Sequence, residues 1–223
     1  REKARKLLVH DIGVNRGTHL ATGFLGTPIL LRALTECGEL DVAYKLLEQT
    51  TCPSWLYPVT QGATTVWERW DAFRDGVQHS SWMNSLNHYA FGSAASWLYS
   101  TVAGIQDLTE ENHRWAGWKR FRLAPLPGGT LTYAKGSFES RYGLIESSWK
   151  KNGDNFEWSF TVPEGTVAEI VFPCSEPATL PAGIYREGGK LFAKPGRYKT
   201  VSKGSRGFYA CNFTHLFSII VSS

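Results

Sequence analysis

The chain has 223 residues, of which 42% are hydrophobic and 20% are charged, and its formal net charge is +4. This composition predicts a soluble globular protein of one or two domains. The Lys and Arg residues are scattered along the chain, so we expect no nucleic-acid partner. No run of 18 apolar residues occurs in the sequence, so we expect no transmembrane helix and no membrane partner.

The chain begins without Met and inside a basic, amphipathic segment, which predicts a fragment or a processed piece of a longer protein. A signal peptide is not evident, and for such a piece this leaves the localisation open. The four cysteines, Cys37, Cys52, Cys174 and Cys211, lack zinc-ligand spacing. We therefore expect free thiols, no metal site and no cofactor. Asn212 begins a glycosylation triplet of a kind that often occurs by chance.

Residues 1 to about 106 have the apolar spacing of helices. Thr27 followed by Pro28 predicts a helix start with Thr27 as the N-cap, and Gly38 predicts its end. Two further helices are predicted by apolar residues at helical spacing, namely Leu40, Ala43, Tyr44 and Leu47 in one, and Phe91, Ala95, Leu98 and Val102 in the other, which ends near Gly104.

From about residue 119 the apolar spacing changes to two. Turn signals occur at Asn152-Gly153 and Glu164-Gly165. We predict partial (α/α)6 barrel helices over residues 1–106, a linker over 107–118 and an antiparallel β-sandwich over 119–223. The apolar strand residues include Phe156, Trp158, Phe160 and Val162, then Phe213, Leu216, Ile219 and Val221 near the C-terminus, with Trp149 also expected in the core.

The segment from Gly62 to Asp71, GATTVWERWD, is the strongest candidate for a functional site. It places the carboxylate of Glu68 between Trp67 and Arg69, with Trp70 two residues further on. Indole rings pack against the apolar face of a pyranose, and carboxylates carry out glycoside hydrolysis. The sequence therefore favours a sugar-cleaving site with one convincing carboxylate. Further aromatic and polar candidates in the connections between helices are Trp55, Trp82 and His88.

The chain resembles the C-terminal part of the family 78 glycoside hydrolases, the α-L-rhamnosidases. The matching stretches are TGFLGTPILLRAL, GELDVAYKLLEQTTCPSW, GATTVWERWD, NSLNHYAFGSAASWLY and VAGI, strongest over residues 18 to 106 and weaker beyond. The resemblance implies an (α/α)6 barrel followed by a β-sandwich. It also implies an inverting hydrolase that releases terminal L-rhamnose, so the expected partners are L-rhamnose-containing glycosides.

The resemblance also implies roles for individual residues. Glu68 corresponds to the family's general base, and His88 corresponds to a histidine that contacts the sugar. The general acid belongs to an acidic motif in the earlier half of the barrel, which has no counterpart here. We therefore expect the isolated chain to be inactive and to need the remainder of the barrel. Arg69 is expected to favour the ionised form of Glu68, and the candidate pocket walls are Trp55, Trp67, Trp70 and Trp82.

Each assignment has a structural alternative. Glu68 and Arg69 can form a structural ion pair, and His88 can bond to the backbone at a helix N-terminus. The tryptophans can be core residues, and we expect at least one of Trp67 and Trp70 to be so. Two other functions stay open, a non-catalytic carbohydrate-binding module and a structural remnant that pairs with another chain through an exposed barrel half. The aglycone and the linkage are not specified.

Overall fold

The computed structural model describes residues 2–79, 82, 85–109 and 111–204. The chain divides into two compact units, Arg1–Trp97 and Leu98–Ser223. The first is helical and the second is built from strands, which confirms the predicted order of a helical part followed by a β part. The boundaries at residues 106 and 119 stay a prediction. In the described part of the chain, no helix is long and apolar enough to cross a membrane.

The helical unit consists of short helices joined by structured connections. The first helix has no buried residue and continues into a π-helical turn at Asp11–Asn15, so this basic face is open to solvent. A small hairpin of two strands, β1 and β2, lies between the fourth and fifth helices. The helices are α1 (Glu2–His10), α2 (Thr27–Glu36), α3 (Leu40–Leu47), α4 (Leu56–Thr60), α5 (Tyr89–Gly92) and α6 (Ala94–Trp97), and the strands are β1 (Phe73–Arg74) and β2 (Val77–Gln78).

The start of α2 differs from the sequence prediction. Gly26 occupies the N-cap position, and Thr27 is already helical, so the prediction of Thr27 as the cap is wrong. The Thr27 hydroxyl donates instead to the carbonyl of Thr22 at 3.0 Å and lies 2.8 Å from the Thr22 hydroxyl. These bonds close the loop that precedes α2. At the other end the prediction is confirmed, because Gly38 has a φ of +82° just after the helix.

The core of the helical unit lies between α2 and α3. Tyr44 is fully buried and meets the edge of Trp97, with ring centroids 5.1 Å apart. The indole N–H of Trp97 donates to the Thr35 hydroxyl at 2.9 Å, so its polar atom is satisfied. The buried residues of α3 are Ala43, Tyr44 and Leu46. The apolar pattern predicted Leu47 in place of Leu46, and Leu47 is only half-buried.

The β unit begins with a π-helical turn at Leu98–Val102 and contains two sheets. The five-stranded sheet has the order β3-β4-β8-β10-β9, and the four-stranded sheet has the order β11-β7-β6-β5. Among the described strands of this unit, the pairings are antiparallel except that of β4 with β8, which is parallel. The strands are β3 (Ile105–Asp107), β4 (Arg120–Leu123), β5 (Tyr133–Ser140), β6 (Gly143–Asn152), β7 (Asn155–Val162), β8 (Val167–Ile170), β9 (Ile184–Glu187), β10 (Lys190–Ala193) and β11 (Gly196–Lys203).

The four-stranded sheet buries one face, as the alternating pattern predicts, whereas β4 and β8 of the five-stranded sheet are buried at consecutive residues. In β7 the buried residues are Phe156, Trp158, Phe160 and Val162, which confirms that prediction. Trp149 is also buried, at 1% exposure, and its indole N–H donates to the Val102 carbonyl at 2.7 Å. Burial of these aromatic side chains supplies most of the apolar stabilisation of this unit.

The segment predicted as a linker contains ordered structure. A 3₁₀ stretch occupies His113–Trp118. Before it, the Glu111 carboxylate accepts from Arg122 on β4 at 2.9 Å. Arg122 is 8% exposed and also pairs with Glu169 on β8 at 3.2 Å. A charge this buried requires paired partners. The pair with Glu111 fastens the segment to the sheet, and the pair with Glu169 joins β4 to β8.

Cys37 and Cys52 are free thiols. Cys211, the triplet that begins at Asn212 and the C-terminal strand residues Phe213, Leu216, Ile219 and Val221 lie outside the described residues.

Candidate functional site

A cleft of about 250 Å³ opens in the helical unit beside the GATTVWERWD segment. Its lining combines aromatic side chains with charged ones. Small-molecule sites combine apolar walls with a few placed polar groups in this way. The lining residues are Gly23, Phe24, Glu68, Arg69, Trp70, Asp71 and Phe91.

The aromatic wall is a set of rings in contact. Trp70 stacks on Phe91, with centroids 3.9 Å apart and planes 17° from parallel. Phe24 meets the same ring of Phe91 at 5.2 Å. Trp55 packs edge-on against Trp70 at 5.8 Å, and its N–H donates to the Phe91 carbonyl at 2.9 Å. Trp55 therefore supports the wall by fixing Trp70 and Phe91.

The other two tryptophan candidates lie away from this wall. Trp67 is 5% exposed and packs against Phe73, so the structure places it in the core. This matches the expectation that Trp67 and Trp70 do not both face the cleft. Trp82 is 70% exposed and is not among the residues that line the cleft.

Glu68 is held by main-chain groups of a segment 17 residues further along the chain. Its Oε2 accepts from the backbone N–H of Ser85 at 2.8 Å. The backbone N–H of Glu68 donates to the carbonyl of the same Ser85 at 2.9 Å. The side chain is half-buried and lines the cleft. The two hydrogen bonds to Ser85 fix the position of the Glu68 backbone and of its carboxylate.

Arg69 has a different partner from the one expected. Its Nε and Nη2 both donate to Oδ1 of Asp71 at 3.2 Å. The ring of His79 lies 4.0 Å from the other oxygen of Asp71. The guanidinium is thus taken up by Asp71 and not by Glu68, so the structural alternative of a Glu68–Arg69 ion pair is not what the structure shows. Arg69 and Asp71 together form a second charged element in the cleft.

His88 is the N-cap of α5, and its ring is fixed on both sides. Nδ1 accepts from the backbone N–H of Ala90 at 3.3 Å. An accepting Nδ1 places the ring proton on Nε2, which then acts as a donor. Phe24 stacks on the ring at 4.7 Å and Tyr89 at 5.4 Å. The backbone bond and a ligand-binding role are therefore compatible, because they use different nitrogens.

Four residues of this arrangement were not identified from the sequence: Phe24, Asp71, Ser85 and Phe91. Phe91 was assigned only to a helical stripe, and Phe24 only to a helix-start loop. Asp71 was recognisable, since it ends the GATTVWERWD segment as a second carboxylate. Ser85 acts through its backbone, so no sequence signal points to it.

A carboxylate and aromatic rings that line one cleft are typical of carbohydrate-active proteins. Residues 1–102 match the family model of the bacterial alpha-L-rhamnosidase six-hairpin glycosidase domain. Residues 104–184 match the model of the bacterial alpha-L-rhamnosidase C-terminal domain. The chain belongs to the bacterial α-L-rhamnosidase family.

Individual relatives agree with this assignment. An α-L-rhamnosidase of Streptomyces avermitilis is 44% identical over 160 residues, which cover 71% of this chain and 15% of that protein. One of Formosa agariphila is 37% identical over 220 residues, which cover 92% of this chain and 23% of that protein. The chain thus spans about a fifth of the length of these relatives.

Solved structures show the same fold. The crystal structure of Streptomyces avermitilis α-L-rhamnosidase complexed with L-rhamnose matches with a TM-score of 0.77 and 39% identity, over 90% of this chain and 19% of that one. The native α-L-rhamnosidase of Aspergillus terreus matches with a TM-score of 0.75 and 34% identity, over 89% of this chain and 21% of that one. The helical unit is therefore part of a six-hairpin domain.

Proposed function

We propose that this chain supplies the general base and one wall of the sugar site of an inverting α-L-rhamnosidase. The observation that supports this most directly is the placement of Glu68. Its carboxylate is fixed by Ser85, and Glu68 lines a cleft that is also lined by Phe24, Trp70 and Phe91. Membership of the rhamnosidase family makes terminal L-rhamnose of glycosides the proposed substrate.

The proposed reaction uses Glu68 to activate water. The carboxylate takes a proton from a water molecule as the water oxygen bonds to the anomeric carbon. The bond from that carbon to the aglycone oxygen breaks, and a general acid protonates the leaving oxygen. Inverting enzymes hold the two carboxyl groups roughly 6.5–9.5 Å apart, which leaves room for the water between the base and the sugar.

We propose that the general acid comes from a part of the barrel outside these 223 residues. The matched relatives are about five times longer than the segment that they share with this chain, which leaves room for that part. Asp71 also lines the cleft, but its carboxylate is engaged by two hydrogen bonds from Arg69, so we assign it to the Arg69–Asp71 pair and not to the role of the acid.

The remaining cleft residues suit the binding of a deoxy sugar. Trp70, Phe91 and Phe24 offer an apolar surface for the ring face and the methyl group of rhamnose. His88 is not among the residues that line the cleft, but it stacks on Phe24, which is. Its Nε2–H is the proposed donor for a sugar hydroxyl, because Nδ1 is already occupied. In this proposal the Arg69–Asp71 pair offers a donor and an acceptor to further hydroxyls.

The test replaces the base in the complete enzyme, with this chain joined to the rest of its barrel. Glu68→Gln keeps the size of the side chain and removes the proton acceptor. Turnover of an aryl α-L-rhamnoside is expected to fall about 10²- to 10⁴-fold, the usual contribution of a general base. Glu164→Gln, in an exposed turn of the β unit, is the matched control and is expected to leave turnover unchanged.

Three outcomes contradict parts of this proposal. Near-normal turnover by Glu68→Gln shows that the base is another residue. Robust turnover by the 223-residue chain alone shows that the acid is present within it. L-rhamnose binding in isothermal titration, without hydrolysis by the complete enzyme, favours a carbohydrate-binding module.

A further inference from the structure

Two short segments of the helical unit lie side by side. Residues 65–68 carry the candidate base, and residues 85–88 end at the sugar-contact candidate His88. We refer to the second as the 85–88 segment. Their main chains are joined at both ends, by the bond from Glu68 N–H to the Ser85 carbonyl at 2.9 Å and by the bond from His88 N–H to the Val66 carbonyl at 2.8 Å.

Two side chains add to this pairing. The carboxylate of Glu68 accepts from the Ser85 N–H at 2.8 Å, so Ser85 holds both the main chain and the side chain of Glu68. The hydroxyl of Thr65 donates to the carbonyl of Leu86, between these two points. The 85–88 segment is thus fixed to residues 65–68 by four hydrogen bonds, two between backbones and two that involve a side chain.

Burial contributes little to holding the 85–88 segment. Ser85, Leu86 and Asn87 are all exposed, and Leu86 keeps 40% of its surface accessible. A segment with few buried apolar contacts opens readily unless polar bonds hold it. The four hydrogen bonds are therefore the main restraint on the position of the segment. The bond from the Thr65 hydroxyl to the Leu86 carbonyl is the one that a conservative substitution can remove.

We propose that Thr65 and the Ser85 N–H are positioning groups that hold the Glu68 carboxylate and His88 in a fixed mutual arrangement. This inference rests on the proposed function of Glu68 as the base. The Ser85 N–H binds Oε2, which leaves Oε1 as the oxygen that takes the proton from water. Thr65 acts through the 85–88 segment, since its hydroxyl bonds to Leu86 and not to the carboxylate.

The consequence for the reaction follows from geometry. Effective catalysis requires reacting groups at near-attack distance, and small misplacements are costly. Loosening the 85–88 segment lets the carboxylate rotate and moves the His88 ring relative to it. The rate of the chemical step should suffer more than substrate binding, because the aromatic wall of Phe24, Trp70 and Phe91 is built by other contacts.

Three variants of the complete enzyme test this inference. Thr65→Val removes the hydroxyl at constant shape, Thr65→Ser restores it, and Thr64→Val makes the same change at the neighbouring exposed threonine. Amide hydrogen–deuterium exchange of peptides that contain residues 85–88 reports the restraint without requiring activity. kcat and KM for an aryl rhamnoside report the consequence.

For Thr65→Val we expect exchange in the 85–88 segment to rise roughly fivefold, the factor of one net hydrogen bond. We also expect kcat to fall about tenfold and KM to rise by a smaller factor, because the His88 ring moves while the aromatic wall stays in place. Thr65→Ser should restore both, and Thr64→Val should change neither. Unchanged exchange in Thr65→Val overturns the inference, as does an equal effect of Thr64→Val. Raised exchange in an enzyme without rhamnosidase activity refutes the proposed function and leaves the restraint itself supported.

Discussion

We expect removal of the Ser147 hydroxyl to destabilise the β unit, because this hydroxyl makes two buried hydrogen bonds. Ser147 is fully buried on β6. Its hydroxyl donates to the Ala103 carbonyl at 2.5 Å and accepts the indole N–H of Trp158 at 3.0 Å. Ser147→Ala therefore leaves two buried polar groups without partners, and neither can reach water.

The magnitude follows from the cost of those two groups. A buried donor or acceptor that loses its partner costs about 1–3 kcal/mol. With partial relaxation of the Trp158 ring, we expect Ser147→Ala to lower the free energy of unfolding by about 2–4 kcal/mol. Ser148 lies next along β6 and is half-exposed, so Ser148→Ala should stay within about 0.5 kcal/mol of the wild type.

Native-state amide exchange of β6 and β7 is the suitable assay, because it reports the opening free energy of this unit separately from the helical unit. The reasoning is refuted if Ser147→Ala changes that free energy by less than about 0.5 kcal/mol. It is also refuted if Ser148→Ala has an equal effect, since that would reflect strand propensity and not the buried bonds.

Two other predictions concern the same unit. Gly104 has a φ of +77°, and an added Cβ would lie 2.1 Å from the Pro125 nitrogen, so Gly104→Ala should cost more than about 3 kcal/mol. Gly153→Ala, at positive φ in open space, should cost only about 1–2 kcal/mol in the same unfolding assay. Burial raises the pKa of Tyr198, so its neutral form stabilises the fold below the unfolded pKa of about 10. This stabilisation is lost as pH rises through the folded pKa. In urea unfolding at high pH, the free energy of unfolding of Tyr198→Phe should therefore decline less steeply with pH than that of the wild type. An equally steep decline in both proteins would show that other titrating groups cause the loss of stability.

The fold of the β unit was largely predictable because one buried sheet face imposes a period of two. Phe156, Trp158 and Phe160 all follow it, and the turn at Gly153 is where the sequence places it. The one parallel pairing, β4 with β8, was not predictable. It depends on how distant strands associate, and no local pattern reports that.

The candidate site was predictable only where it depends on residue type. Glu68 was identified from its aromatic neighbours and from the family resemblance. The hydrogen bond that fixes it comes from the backbone of Ser85, which any residue except proline can supply. The partner of Arg69 was misassigned because Glu68 and Asp71 are both near it in sequence, and only the three-dimensional geometry selects Asp71.

The most direct test of Glu68 as the water-activating base is rescue by azide in the complete enzyme. Glu68→Ala removes the base, and azide attacks the anomeric carbon without needing to lose a proton. For Glu68→Ala we expect the rate of hydrolysis of an activated aryl α-L-rhamnoside to fall steeply and added azide to restore aglycone release. The expected product is the rhamnosyl azide of inverted configuration, identified by NMR. Hydrolysis by Glu68→Ala near the wild-type rate, or an azide product of retained configuration, would contradict the account.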